Sequence, residues 1–377
     1  MKQLSLKRIF VLAFFFITSW ILLNKNICAE SPYIYNCILT SQTPSPAISP
    51  NFTSTPAVTP VLTITTVPSS VPSSVPTATI PVNNTCVVGG TTINKGEGVC
   101  NEKTNTVSLC EGNNQMTDKP NYCGSGQVCR SQTGNFQVKC EAACQLKMGS
   151  GVTTKADLVI LAEDYGSYSE FLAGVDKAVA AINKTNLGTA RLGKINLWAL
   201  LDLNQTFFKG FNCPTSGGQT VACWDHLKAF TLAASKCGGD SYLVFNNDTH
   251  RTGSVGGISI WGGTYIYNFA LDQPTVPHEL GHSLIGLMDE YSFGIAAPAG
   301  AIAGINCSEL GSASQTTPCP KWATRFPNVG CYPRCGYTNF YRPADRSIMD
   351  RGGTGAVYDF NEPSLVDGWD EMLKLFP

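Results

Sequence analysis

The run His278-Glu279-Leu280-Gly281-His282 is the short constellation in this chain with a complete mechanism behind it. Residues four apart share one face of a helix, so both imidazoles can reach a single zinc ion while Glu279 leans over the same site to hold a water. Zinc lowers the pKa of such a water, and the carboxylate can take its proton as the water attacks a carbonyl. A catalytic zinc has three protein ligands and one open position, so a third ligand is required. Were the helix continuous, Asp289 would lie about 10 Å along its axis from His282, too far to share an ion. The helix must therefore stop. Gly286 is the natural place, since glycine takes the left-handed conformation that ends helices. A turn there brings Asp289 or Glu290 back toward the metal, and the spacing leaves both open. Upstream, Pro277 suits a first helical turn, and Thr275 or Gln273 is available near the cap. His226 and His250, the remaining histidines, sit in no metal-ligating pattern and read as structural or surface residues.

The elements that must hold this motif follow from the pattern after Lys155, where strand and helix alternate. Asp157 to Ala162 is a short apolar run suited to a buried strand, and Phe171, Leu172, Val175, Val179 and Ile182 recur at helical spacing. Further strands are expected at Ile195 to Leu203 and Ser241 to Asn246, with a helix between them at about Trp224 to Ser235. Ser254 to Trp261, rich in glycine, reads either as a strand lining the cleft, where a substrate backbone can pair with it, or as a surface loop. An amphipathic helix from Pro363 to Phe376 closes the chain. The expected class is α/β, with a twisted mixed sheet and an active-site helix.

Three segments precede this domain. Lys2, Lys7 and Arg8 stand before the apolar run Ile9 to Leu23, which is short for a membrane span of roughly 20 residues. Residues 1–29 are thus a signal peptide, cut after Ala29, or a retained signal anchor that tethers the protein to a membrane. Residues 30–85 form a Pro/Ser/Thr-rich stalk. No Asp, Glu, Lys or Arg occurs between Ser31 and Asn94, and nine prolines fall from Pro44 to Pro81, so this stretch cannot bury a core and is expected to be disordered. Asn51-Phe52-Thr53 and Asn83-Asn84-Thr85 fit the N-glycosylation pattern. Residues 86–147 hold seven cysteines among few aliphatic residues, the mark of a small disulfide-rich module. Such a module serves either as a rigid spacer or as a contact for wall or glycan. Seven more cysteines lie between Cys213 and Cys335; one bridge can join the two odd sets and leave Cys37 unpaired. No candidate catalytic group lies before Lys155, so stalk and module are expected to be dispensable for cutting short peptides.

Sixteen cysteines without a C-x-x-C pair favour disulfides in an oxidising compartment over zinc ribbons or thioredoxin-like redox sites. A net charge of −1 with no dense Lys/Arg cluster beyond the extreme N-terminus excludes the electrostatic footprint of a nucleic-acid binder. A serine hydrolase is disfavoured, because around Ser283 the second glycine of G-x-S-x-G is missing. The other alternative is an inactive adhesin that keeps the fold; the presence of Glu279 argues against it.

The run from His278 to Tyr291, HELGHSLIGLMDEY, resembles the signature of the IgA-peptidase family of zinc metallopeptidases, with two histidines, six residues and then Asp-Glu. The likeness extends upstream through Asp157 to Gly166 and the glycine-rich Gly253 to Gly263, and covers most of residues 155–377. The resemblance implies a zincin fold and a zinc-dependent endopeptidase, secreted or held at the cell surface, acting on extracellular protein or peptide. It also implies one zinc per catalytic domain on His278, His282 and Asp289, with Glu279 as base and Glu290 as an alternative ligand or supporting residue. Ser347-Ile348-Met349 resembles the Met-turn beneath the metal in related enzymes. Arg351 stands where some metzincins carry a stabilising tyrosine.

Overall fold

A computed structural model of the chain describes residues 83–132, 135–152, 155–213, 221–248, 257–260, 263–267, 270–271, 273–309, 319–351 and 359–375. The leader, Cys37, nearly all of the stalk and His250 lie outside these residues. From Asn84 onward the described residues belong to one compact unit.

The cysteine-rich segment is built from short strands. β1 (Thr85–Val88) pairs with β2 (Thr91–Asn94), β3 (Gly98–Asn101), β4 (Thr106–Gly112) and β5 (Gln115–Pro120) form an antiparallel three-stranded sheet, and β6 (Gln127–Gln132) pairs with β7 (Asn135–Ala142). Aliphatic side chains are too few to make a core here, and cystines take their place. Cys86–Cys110 packs with Ile93, while Cys100–Cys129 and Cys123–Cys140 surround Val107.

The next strands assemble the sheet under the site. In chain order they are β8 (Cys144–Met148), β9 (Ala156–Glu163), β10 (Ile195–Leu200), the separate hairpin of β11 (Phe208–Cys213) and β12 (Val221–Trp224), then β13 (Ser241–Asn246), β14 (Gly257–Ile260) and β15 (Gly263–Tyr267). The sheet order is β14-β15-β13-β9-β10-β8, parallel in its four central strands and antiparallel at both edges. Every residue of β9 and β13 is buried, as expected for parallel strands covered on both faces. Alternate residues serve opposite layers. Leu158, Ile160, Leu243 and Phe245 face a core closed by α1 (Tyr168–Asn183) and later helices, with α2 (Gly188–Leu192) following α1 in the chain. Val159, Leu161, Tyr242 and Val244 face α3 (His226–Cys237) through Ala229 and Ala233.

The metal-motif helix, α4 (Thr275–Ser283), packs its Val276 and Leu280 into the first of these cores. The remaining chain is less regular: β16 (Tyr332–Cys335) and β17 (Tyr337–Arg342) form a hairpin, α5 (Ile348–Arg351) is a single turn, and α6 (Glu362–Leu375) returns Leu365, Trp369 and Met372 to the main core. Cys307–Cys335 and Cys319–Cys331 staple this part.

The cysteine-rich segment does not stand apart from the sheet. β8 is an edge strand of it, Val128 lies in the main core, and Cys144 is bonded to Cys237 at the end of α3. Glu102 accepts a hydrogen bond from the backbone N–H of Tyr168 at the first turn of α1, where a carboxylate also suits the helix dipole. The six-stranded sheet therefore draws on residues N-terminal to Lys155, and the odd cysteine of each set is used to join them. Among the described residues no helix is long and apolar enough to cross a membrane.

Candidate metal centre

α4 brings His278 and His282 onto one face, with ring centroids 4.7 Å apart and ring planes perpendicular. The helix begins at Thr275 after Pro274 and has no side-chain cap, so neither Thr275 nor Gln273, the two residues available there, caps it. The helix ends after Ser283, and Gly286 takes the left-handed conformation with φ +73°. Leu287 N–H donates back to the carbonyl of Gly281, which reverses the chain over the end of the helix. That reversal carries Asp289 to the two histidines.

The three side chains meet in a nearly equilateral triangle. His278 Nε2 and His282 Nε2 are 3.2 Å apart, and Asp289 Oδ1 lies 3.2 Å from each. Nδ1 of His278 is 2.8 Å from the Ile348 carbonyl and Nδ1 of His282 is 2.6 Å from the Leu287 carbonyl. A carbonyl oxygen can only accept, so both Nδ1 atoms carry a proton, and any lone pair the rings offer is on Nε2, facing the other ring and a carboxylate. Three lone-pair donors facing one another call for a cation between them. Burial disfavours a charged His282, but the Asp289 carboxylate, with help from Glu279, outweighs it and lifts the ring to about 9. Asp289 is only partly exposed, which works against its charge too, yet the histidines hold its carboxyl well below the ordinary range.

A metal ion answers the same demand. A 3.2 Å triangle is the face of a tetrahedron whose centre is about 2.0 Å from each corner, the length of bonds from zinc to imidazole nitrogen and carboxylate oxygen. Among the described residues, this is the group of three potential ligands whose donor atoms converge closely enough to hold an ion.

Glu290, the neighbour of Asp289, is placed differently. It is fully buried, and its carboxylate accepts from Asn306 Nδ2 at 3.0 Å, Asn361 Nδ2 at 2.6 Å, Ser347 Oγ at 2.6 Å and Ser364 Oγ at 3.3 Å. Burial raises its pKa despite these donors. Glu290 thus ties the loop bearing Asp289 to the turn bearing Met349 and to the start of α6. Its own N–H donates to the Met349 carbonyl at 2.8 Å. Met349 is fully buried beneath α4, where a Cβ on Gly281 would come within 2.7 Å of its sulfur; the glycine is what lets the two segments touch.

Glu279 is 5% exposed and lies against edge strand β14. Ser259 Oγ donates to its Oε2 at 2.5 Å. This contact carried no signal in the sequence, where Ser259 is one small residue in a glycine-rich run. His226 is away from the site and bonds through Nδ1 to Tyr242 Oη at 2.6 Å, with burial lowering its pKa.

No protein-family model matches the chain, and no curated protein matches it in sequence. Among solved structures it is similar to archaemetzincin from Methanopyrus kandleri, at 17% identity over 43% of this chain and 84% of that one, with a TM-score of 0.22. A likeness at that level carries no argument about this chain, whose chemistry has to follow from its own geometry.

Proposed function

We propose that the protein is a zinc-dependent endopeptidase of the IgA-peptidase type, built on a zincin fold and working outside the cytoplasm, either free or tethered through its N-terminal segment. The observation that carries this reading is the triangle of His278, His282 and Asp289, whose edge matches tetrahedral zinc, with a buried glutamate next to it in sequence. The cystines support an oxidising compartment.

When bound, zinc supplies Lewis acidity to a water and to the scissile carbonyl. The protein's own groups do the rest. The carbonyls of Ile348 and Leu287 hold the two imidazoles in the tautomer that leaves Nε2 free. Glu279 accepts the proton of the attacking water and can return it to the leaving amine. Edge strand β14 offers a substrate backbone a place to pair.

The test is a Glu279→Gln variant compared with wild type on a peptide library, with zinc content measured on both. Glu279 is not a ligand in this reading, so the variant should keep its zinc and its fold while hydrolysis falls about a hundredfold or more. Folded, zinc-loaded wild type that cuts no peptide would end the enzyme reading in favour of a binding protein.

A further inference from the structure

A general base has to present one oxygen to the water and keep it there, and the surroundings of Glu279 divide its two oxygens sharply. Oε2 is engaged by Ser259 Oγ at 2.5 Å. The Ser259 hydroxyl also lies 2.7 Å from Thr264 Oγ1 on β15 and 3.1 Å from the Glu279 carbonyl. Ser259 has a single proton, and the shortest of these contacts is the one to the side-chain oxygen of Glu279. Thr264, fully buried, then donates to Ser259 at 2.7 Å in preference to the Glu279 carbonyl at 3.4 Å, and the two hydroxyls form a directed chain ending on Glu279.

Oε1 has the opposite environment. Among the described residues no donor reaches it, and the strand beside it is held open. A Cβ at Gly257 would lie 2.9 Å from Oε1 and 2.9 Å from Cγ. Gly257 and Ser259 are two residues apart on β14 and so face the same side of the sheet. One strand face therefore grips one oxygen and leaves room at the other.

We propose that Ser259, backed by Thr264, is the positioning residue for Glu279: it fixes Oε2 so that Oε1 is the proton-accepting oxygen, while Gly257 keeps that side clear. This rests on the reading of Glu279 as the base of a zinc peptidase. The reach of the base is then set by the edge strand as well as by the helix that carries it.

The test uses the full zinc-loaded chain with Ser259→Ala, Ser259→Thr, Gly257→Ala and Glu279→Gln variants. Zinc affinity is measured by chelator competition, peptide hydrolysis by kcat and KM, and binding of acetohydroxamate by calorimetry. Acetohydroxamate gives its proton to the base on binding, so it reports the placement of Glu279 without turnover. Ser259→Ala and Gly257→Ala should keep zinc affinity within about twofold and lower kcat about 10–100-fold, the range for a lost supporting contact, with KM nearly unchanged. Both should weaken acetohydroxamate about tenfold or more. Ser259→Thr should restore both properties, and Ser259→Ala should add nothing in the Glu279→Gln background. Wild-type kcat and acetohydroxamate affinity in Ser259→Ala would overturn the proposal. If wild type cuts no peptide but the acetohydroxamate pattern holds, the positioning role stands and the peptidase reading fails. Wild type that binds neither zinc nor acetohydroxamate overturns both.

Discussion

Asp289 and Glu290 are adjacent in sequence, and their replacement by alanine should fail in different ways. The Glu290 carboxylate satisfies two amide and two hydroxyl donors in a fully buried position. The hydroxyls of Ser347 and Ser364 can rotate toward other acceptors, but the amide N–H groups of Asn306 and Asn361 cannot. Each buried donor left without an acceptor costs about 1–3 kcal/mol, and removing the carboxylate also relieves the desolvation that raises its pKa. The balance for Glu290→Ala is a loss of about 3 kcal/mol in stability. Asp289→Ala removes a corner of the triangle, so its cost falls on the metal and should exceed the roughly 10–100-fold loss of affinity caused by disturbing a supporting residue. Urea unfolding of the metal-free proteins and zinc titration against a chelator separate the two effects. Glu290→Ala should lower the unfolding midpoint with little change in slope, while Asp289→Ala should lose zinc more severely. An unmoved midpoint in Glu290→Ala, or zinc lost by Glu290→Ala and kept by Asp289→Ala, would refute the assignment.

The proton on His282 predicts how metal uptake depends on pH. With the ring raised to about 9, zinc must displace that proton, so affinity should weaken about tenfold per pH unit below 9; titrations at pH 6, 7, 8 and 9 would show it, and a flat profile would contradict it. Asp225 caps α3 by accepting from Lys228 N–H at 3.0 Å, a bond that lowers its pKa from 3.8. Asp225→Ala should cost about 1 kcal/mol at neutral pH. Because the folded carboxyl is depressed, this contribution is present above about pH 3.8 and disappears as pH falls through the folded value, so urea midpoints of wild type and variant should converge in acid. A chain starting at Lys155 lacks β8, Val128, Glu102 and the Cys144 bridge, and it should lose cooperative thermal unfolding, contrary to the dispensable role that a motif-by-motif reading gives the cysteine-rich segment.

Much of the central sheet was legible because burial on both faces leaves an unbroken apolar run. The expected strand at Ser241 to Asn246 coincides with β13, and that at Asp157 to Ala162 lies within β9. The helix at Phe171 to Ile182 showed itself by its spacing and lies within α1. The strands of the cysteine-rich segment gave no such signal, since cystines rather than alternating aliphatic residues make their core. At the site, His278, Glu279 and His282 follow from helical geometry alone. Asp289 and Glu290 could not be separated that way, because the backbone path after Gly286 decides which carboxylate turns toward the histidines. Contacts such as Ser259 with Glu279 join residues from different elements, and no local pattern announces them.

The bridge between Cys144 and Cys237 also governs how the protein must be made. A chain emerging from its N-terminus presents both halves of Cys86–Cys110, Cys100–Cys129 and Cys123–Cys140 by the time Cys144 appears, whereas Cys237 follows 93 residues later. During that interval Cys144 is a nascent thiol beside three closing pairs, and a thiolate so placed can attack and reshuffle them. Native pairing then depends on timing: docking of β8 and arrival of α3 withdraw the attacking group. A host that oxidises the chain faster than it delivers α3 should accumulate scrambled isomers, and one with active disulfide isomerisation should rescue them, so biosynthetic yield is coupled to a partner almost a hundred residues downstream.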